Sequence, residues 1–113
     1  MQIAERTVGN VIVLDLTGQI TATKGAVQFF KDKINSLVHQ GHKNILANMA
    51  GITMVDSSGL GEIVAAYTTV TKAGGSMKLV NLTKRLQDLL SITKLLTVFD
   101  TYETEQDALR NFS

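Results

Sequence analysis

Met54-Val55-Asp56-Ser57-Ser58-Gly59-Leu60-Gly61-Glu62, or MVDSSGLGE, stands at the middle of a 113-residue chain. A short apolar run, NILANM at 44–49, precedes it. Leu60, Ile63, Val64, Tyr67 and Val70 follow at helical spacing. The stretch therefore reads as the junction between a buried strand and a helix over 57–73, the repeating unit of a layered α/β domain. Asp56 or Ser57 is placed to cap the orphan amides of the first helical turn. Ser58 then falls inside that turn, near free N–H groups and the positive end of the helix dipole. Gly59 and Gly61 each cost about 1 kcal/mol against Ala in a helix interior. A chain accepts that cost where something must approach the backbone closely, and a first turn of Ser, Ser and Gly is also a low-relief surface that a partner can cover.

Outward from this junction the pattern stays regular. Residues 2–8 and 11–17 read as strands joined by Gly9-Asn10, a two-residue hairpin signal. Ile12, Leu14 and Leu16 share one face of the second strand. Residues 22–39 read as a helix with the stripe Val27, Phe30, Ile34, Leu37 and Val38, and Gly41 as its stop. On the other side, Lys72, Gly74 and Gly75 end the central helix, and SMKLVNL at 76–82 is the next strand. Thr83 caps a short helix carrying Leu86, Leu89 and Leu90, and a strand follows around 97–102. Thr104 with Asp107 forms a partial capping box for a last helix, whose Leu109 and Phe112 face inward. A hairpin followed by alternating helices and strands predicts a mixed, mostly parallel sheet with flanking helices. With no proline, linker or repeat, residues 1–113 form one domain of the α/β class.

Composition narrows the function. Apolar residues are 44% but aromatics only 5%, so the core is aliphatic. Eleven basic residues against ten acidic ones leave no concentrated basic surface, which argues against nucleic acid or an anionic membrane as partner. There is no cysteine, hence no disulfide framework and no thiolate metal site. The start of the chain does not read as a signal peptide, and no apolar run reaches the roughly 20 residues of a membrane span. The expectation is a cytoplasmic domain.

The serines lack the company that catalysis requires. Gly-x-Ser-x-Gly is not met, and the histidines, His39 and His42, flank Gly41 at a helix end. No phosphate-loop string exists, Gly74-Gly75-Ser76 fits a helix-to-strand turn, and Asp15, Asp56 and Glu62 have no metal-ligand spacing. No catalytic residue, metal or cofactor is expected. A serine without a base can still be a substrate: another protein supplies ATP and the catalytic groups. The phosphoryl group would add about −1.5 to −2 charges at a helix N-terminus that tolerates an anion.

The chain resembles the STAS domain, specifically the single-domain bacterial anti-sigma factor antagonists. The resemblance rests on D-S-S-G-L-G at Asp56–Gly61, on Leu-x-Gly in DLTGQI, on Gly-His-Lys before NILANMAGITMVDSSG, and on LLSITKLLTVFDTYETEQDAL near the end. It covers essentially the whole chain. It implies a partner-switching cycle. The unphosphorylated antagonist binds an anti-sigma factor, itself a serine kinase of the histidine-kinase-like ATPase fold, and so frees a sigma factor. Phosphorylation releases it, and a metal-dependent serine phosphatase resets it. The resemblance makes Ser58 the acceptor, with Ser57 as the alternative. It gives Asp56 the role of orienting or contacting the partner. The partner surface is expected to combine Asp56, Ser57, Ser58, Gly59 and Gly61 with the loop residues Gln19, Ile20 and Thr21 and with a turn from Asn48 to Thr53. The sequence departs from many members at Gln19 and Thr21, where acids are common, and at Asn48, where Asp is common. A different class of function for the same domain is a scaffold or ligand-binding subunit of a stress-sensing or transport assembly.

Overall fold

The computed structural model describes residues 1–112. Five strands and four α-helices alternate after an initial hairpin: β1 Gln2–Val8, β2 Val11–Ile20, α1 Ala26–His39, β3 Asn44–Val55, α2 Ser57–Lys72, β4 Ser76–Val80, α3 Lys84–Ile92, β5 Asp100–Tyr102 and α4 Glu105–Arg110. The strands lie in the order β1-β2-β3-β4-β5. β1 is antiparallel to β2, and every other neighbouring pair is parallel. This is the mixed α/β sheet that the alternation predicts.

The period-2 pattern of the strands divides the core between two faces. One face, built on Ile12, Leu14, Leu16, Ile45 and Ala47, receives Phe30, Ile34 and Leu37 from α1, Leu60, Ile63, Ala66 and Val70 from α2, and Leu86 and Leu90 from α3. Each large side chain buried there contributes about 1.5–3 kcal/mol by leaving water. Phe99 closes this layer edge-on against Tyr67, with ring centres 5.3 Å apart. The opposite face is smaller: Val11, Val13, Leu46 and Val80 take Ala108 of α4, with Leu109 and Phe112 packed at its margin.

Several expected boundaries move. The helix expected over 22–39 begins at Ala26, because Gly25 sits at φ 71° and a 3₁₀ turn, Thr23–Gly25, comes before it. β2 runs on to Ile20, beyond the expected end at 17, and β3 to Val55, beyond 49. The Asn48–Thr53 segment is therefore strand and not a turn. β3 gains a residue on β2 at two irregularities, one between Asp15 and Thr17 and one between Gly18 and Gln19. Such bulges interrupt the alternation by which a strand is recognised. Along β3, β4 pairs only with Asn44–Asn48, so the second half of β3 has a strand neighbour on one side alone. β4 stops at Val80, where Asn81 turns at φ 58°, and β5 is confined to 100–102.

Candidate functional site

The site lies where β2 and β3 end and α2 begins. Asp56 leaves the strand in an extended conformation and caps α2. Its Oδ1 accepts the Gly59 N–H at 2.8 Å, and its Oδ2 accepts the backbone N–H of Ala22 at 3.0 Å. One carboxylate thus holds the helix and joins it to the segment leading into α1. The Ala22 and Gly59 amides hold the Asp56 carboxyl below the usual carboxylate range, because they stabilise its charged form. The Asp56 N–H is itself directed at the Ile20 carbonyl oxygen, 3.4 Å away.

Gly59 is buried, and the reason is steric. A Cβ on residue 59 would stand 1.8 Å from the Ile20 carbonyl oxygen. The close approach expected at this glycine is therefore made by the chain's own strand. Gly61 is the opposite case: it is exposed, and a Cβ there would meet nothing within 4 Å.

Ser57 and Ser58 are both exposed, while Leu60 anchors the turn in the core. Among the described residues neither serine hydroxyl is hydrogen-bonded within the protein, and no cluster of side chains has metal-ligand character. Among the described residues no imidazole or amine is bonded to either hydroxyl. On α2's next turn, burial pushes the Glu62 carboxyl up, opposed by the nearby charge of Lys31.

Of the residues expected at the partner surface, two have buried side chains and a third is bonded on the other face of the sheet. The Ile20 side chain is fully buried, and only its backbone takes part, as the stop for Gly59. Thr21 is 5% exposed, with its hydroxyl spent on that of Thr23 at 2.8 Å. Asn48 belongs to the other face of the sheet. Its Nδ2 donates to Asp15 at 2.8 Å, and its Oδ1 accepts from the Ala50 N–H and the Asn81 amide, each at 3.1 Å. Arg6 completes that network, donating to Asp15 on β2 and to Glu105 on α4. Gln19 is exposed at the end of β2, as a surface role requires. Ala22 also belongs to the site. Its part is played by its amide, which leaves no mark on residue type.

The sequence profile of the STAS domain matches residues 2–108, nearly the whole described chain. The chain belongs to the STAS-domain family. Among relatives of this STAS domain is the anti-sigma-B factor antagonist of Bacillus subtilis, 34% identical over 91 residues that cover 80% of this chain and 81% of that one. An anti-sigma factor antagonist from Mycobacterium paratuberculosis has the same fold, with a TM-score of 0.84 at 21% identity over 98% of this chain and 92% of its own. The Bacillus protein SpoIIAA, an anti-sigma factor antagonist, superposes in two states. Its unphosphorylated form gives a TM-score of 0.72 at 21% identity over 96% of both chains. Its phosphorylated form gives 0.74 at 22% identity over 96% of this chain and 97% of its own.

Proposed function

We propose that this STAS domain is an anti-sigma factor antagonist whose hold on its partner is set by phosphorylation of Ser58. The observation that carries the reading is the placement of that hydroxyl: exposed, unbonded within the described residues and on the first turn of α2, beside amides with spare hydrogen-bonding capacity. The names of its relatives support the general role. The partner is an anti-sigma factor that is also a serine kinase with the histidine-kinase-like ATPase fold. This domain is the substrate and not the catalyst. The Oγ of Ser58 bonds to the γ-phosphorus of ATP as the bond to the bridging oxygen breaks. ADP leaves, and the hydroxyl proton passes to a base of the kinase. A metal-dependent serine phosphatase hydrolyses the ester and restores the hydroxyl.

Release follows from electrostatics. A helix N-terminus compensates an anion by up to about 2 kcal/mol, so the fold survives modification. An interface fitted to a neutral hydroxyl must instead bury a dianion next to Asp56. Passing from nanomolar to micromolar affinity takes about 4.1 kcal/mol, and an uncompensated buried charge exceeds that. Ser57, equally exposed, is the competing acceptor.

The test is incubation with the anti-sigma factor kinase of the same genome and magnesium-ATP, followed by peptide mass spectrometry and a binding titration. Ser58→Ala should bind the kinase and escape modification. Phosphate mapped to Ser57, or stoichiometric modification of Ser58→Ala, would overturn the site. Equal affinity of the modified and unmodified proteins would overturn the switch.

A further inference from the structure

Helix α3 has two unlike sides. Its inner side is apolar: Leu86 and Leu90 are buried, and Leu89 packs against the same core. Its outer side carries Lys84, Arg85, Asp88 and Ser91, all exposed, as a solvated face requires. Ile92 breaks that pattern at the end of the outer side, where it is 80% exposed. In the segment that leads on to β5, Leu96 is 37% and Val98 41% exposed. A single exposed aliphatic side chain is ordinary, whereas a group of them marks an interaction surface. Beside them Ser91, Lys94, Leu96 and Thr97 line an open concavity of about 350 Å³.

We infer that this end of α3 pairs with the same surface of a second copy of the chain, the Ile92 side chain of each copy seated in the concavity of the other. Shape is the first argument. A two-fold contact requires one surface to supply both the projection and the hollow that receives it, and here the two adjoin. Charge is the second. Two α3 helices that cross antiparallel at Ser91 set Asp88 of one copy beside Lys94 of the other, because each lies three residues from that centre. Among the described residues Lys94 has no ion pair, and Asp88 has only an exposed contact with Lys84 at 3.9 Å. Position is the third. β2 to β5 run parallel, so α2 and α3 both start at one end of the sheet and carry the chain back to the other. Ile92 is therefore at the far end from Ser58, and the paired copies leave both α2 first turns uncovered. The patch is small, so the contact belongs with weak, reversible interfaces of less than about 1,200 Å² in total. The inference does not depend on the phosphorylation of Ser58.

The experiment is sedimentation equilibrium on the purified chain and three variants. From about 10 μM to about 1 mM the average mass of the parent should rise from that of a monomer towards that of a dimer, as a weak contact requires. Ile92→Lys should stay monomeric over the same range, with the thermal midpoint of the parent, because the side chain it replaces is exposed. Asp88→Lys should weaken dimerisation at least about tenfold by facing Lys94 with a like charge. Adding Lys94→Asp to Asp88→Lys should restore it, since the exchange returns opposite charges to each contact and Asp tolerates the left-handed backbone at position 94. A parent that remains monomeric throughout overturns the inference. So does an Ile92→Lys protein that dimerises as the parent does. A double variant no stronger than Asp88→Lys overturns the antiparallel pairing of the two helices.

Discussion

The carbonyl oxygen of Ile20 occupies the place of the side chain that residue 59 lacks, 1.8 Å from where its Cβ would be. Backbone atoms on both sides leave no flexible group to give way, so Gly59→Ala must lift α2 from the end of β2. We expect a loss of about 3 kcal/mol in urea unfolding, at the upper end of ordinary overpacking. Gly61→Ala, with open space around it, should instead gain about 0.5–1 kcal/mol from helix propensity. Equal effects at the two glycines would show that α2 does not lean on Ile20.

Gly61 also offers a clean probe of the proposed partner surface. It lies one turn on from Ser58, exposed, with open space where a Cβ would stand. Gly61→Arg should keep its unfolding midpoint within about 0.5 kcal/mol of the parent, as exposed substitutions do, while abolishing kinase binding. A folded Gly61→Arg protein that binds normally would move the partner to another surface.

Asn48 should behave in the opposite way. Its amide joins Asp15, Ala50 and Asn81 on the face of the sheet away from α2. Asn48→Ala strands these partners, and we expect about 1–3 kcal/mol of destabilisation in chemical denaturation. Affinity for the kinase, measured well below the unfolding midpoint, should not change.

Acid should weaken the fold through two carboxylates. Asp15 is held low first by its hydrogen bonds from Arg6 and then by Asn48; Asp56 is held low by the Ala22 and Gly59 amides. Since both native values lie below that of the unfolded chain, about 3.9, the unfolded state binds more protons in this range. The stability they supply is complete above that value and is lost as pH falls through the lower native values. Glu62 acts in the other sense, since its raised native value favours the protonated folded form. Unfolding midpoints taken from pH 6 down to pH 3 should fall, and Asp15→Asn should flatten the fall. A midpoint that rises over this interval would contradict the assignment.

Much of the architecture was legible because it is local. Gly9-Asn10 marks the hairpin, Thr83 and Thr104 cap their helices through Leu86 and Asp107, and the helix expected over 57–73 is Ser57–Lys72. The stripe Leu60, Ile63 and Val70 is buried as its spacing predicts. The bulged half of β3 was not legible, because its two extra residues break the alternation that announces a strand. Nor were the inward turn of Ile20 and Thr21, the removal of Asn48 to the second face, or the contact beneath Gly59. The Asn48 bonds to Asp15 and Asn81 and the contact beneath Gly59 depend on partners more than 30 residues away, and Ala22 takes part only through a backbone N–H, which every residue but proline carries. At the site, the serines and their capping acid were visible in the sequence; the support behind them was not.

Arg6 grips Asp15 in the adjacent strand and Glu105 in the final helix, a span of 99 residues. On the ribosome this seam stays open until Glu105 has emerged. The hairpin of β1 and β2 forms early from neighbouring residues, but its outer strand gains its clasp only when α4 arrives and the long loop closes. A nascent chain halted before residue 105 would lack this clasp on its edge strand, and an edge strand is the kind of template on which chains stick together. The arginine thus ties the first strand to the last helix, and the arrival of α4 completes that tie.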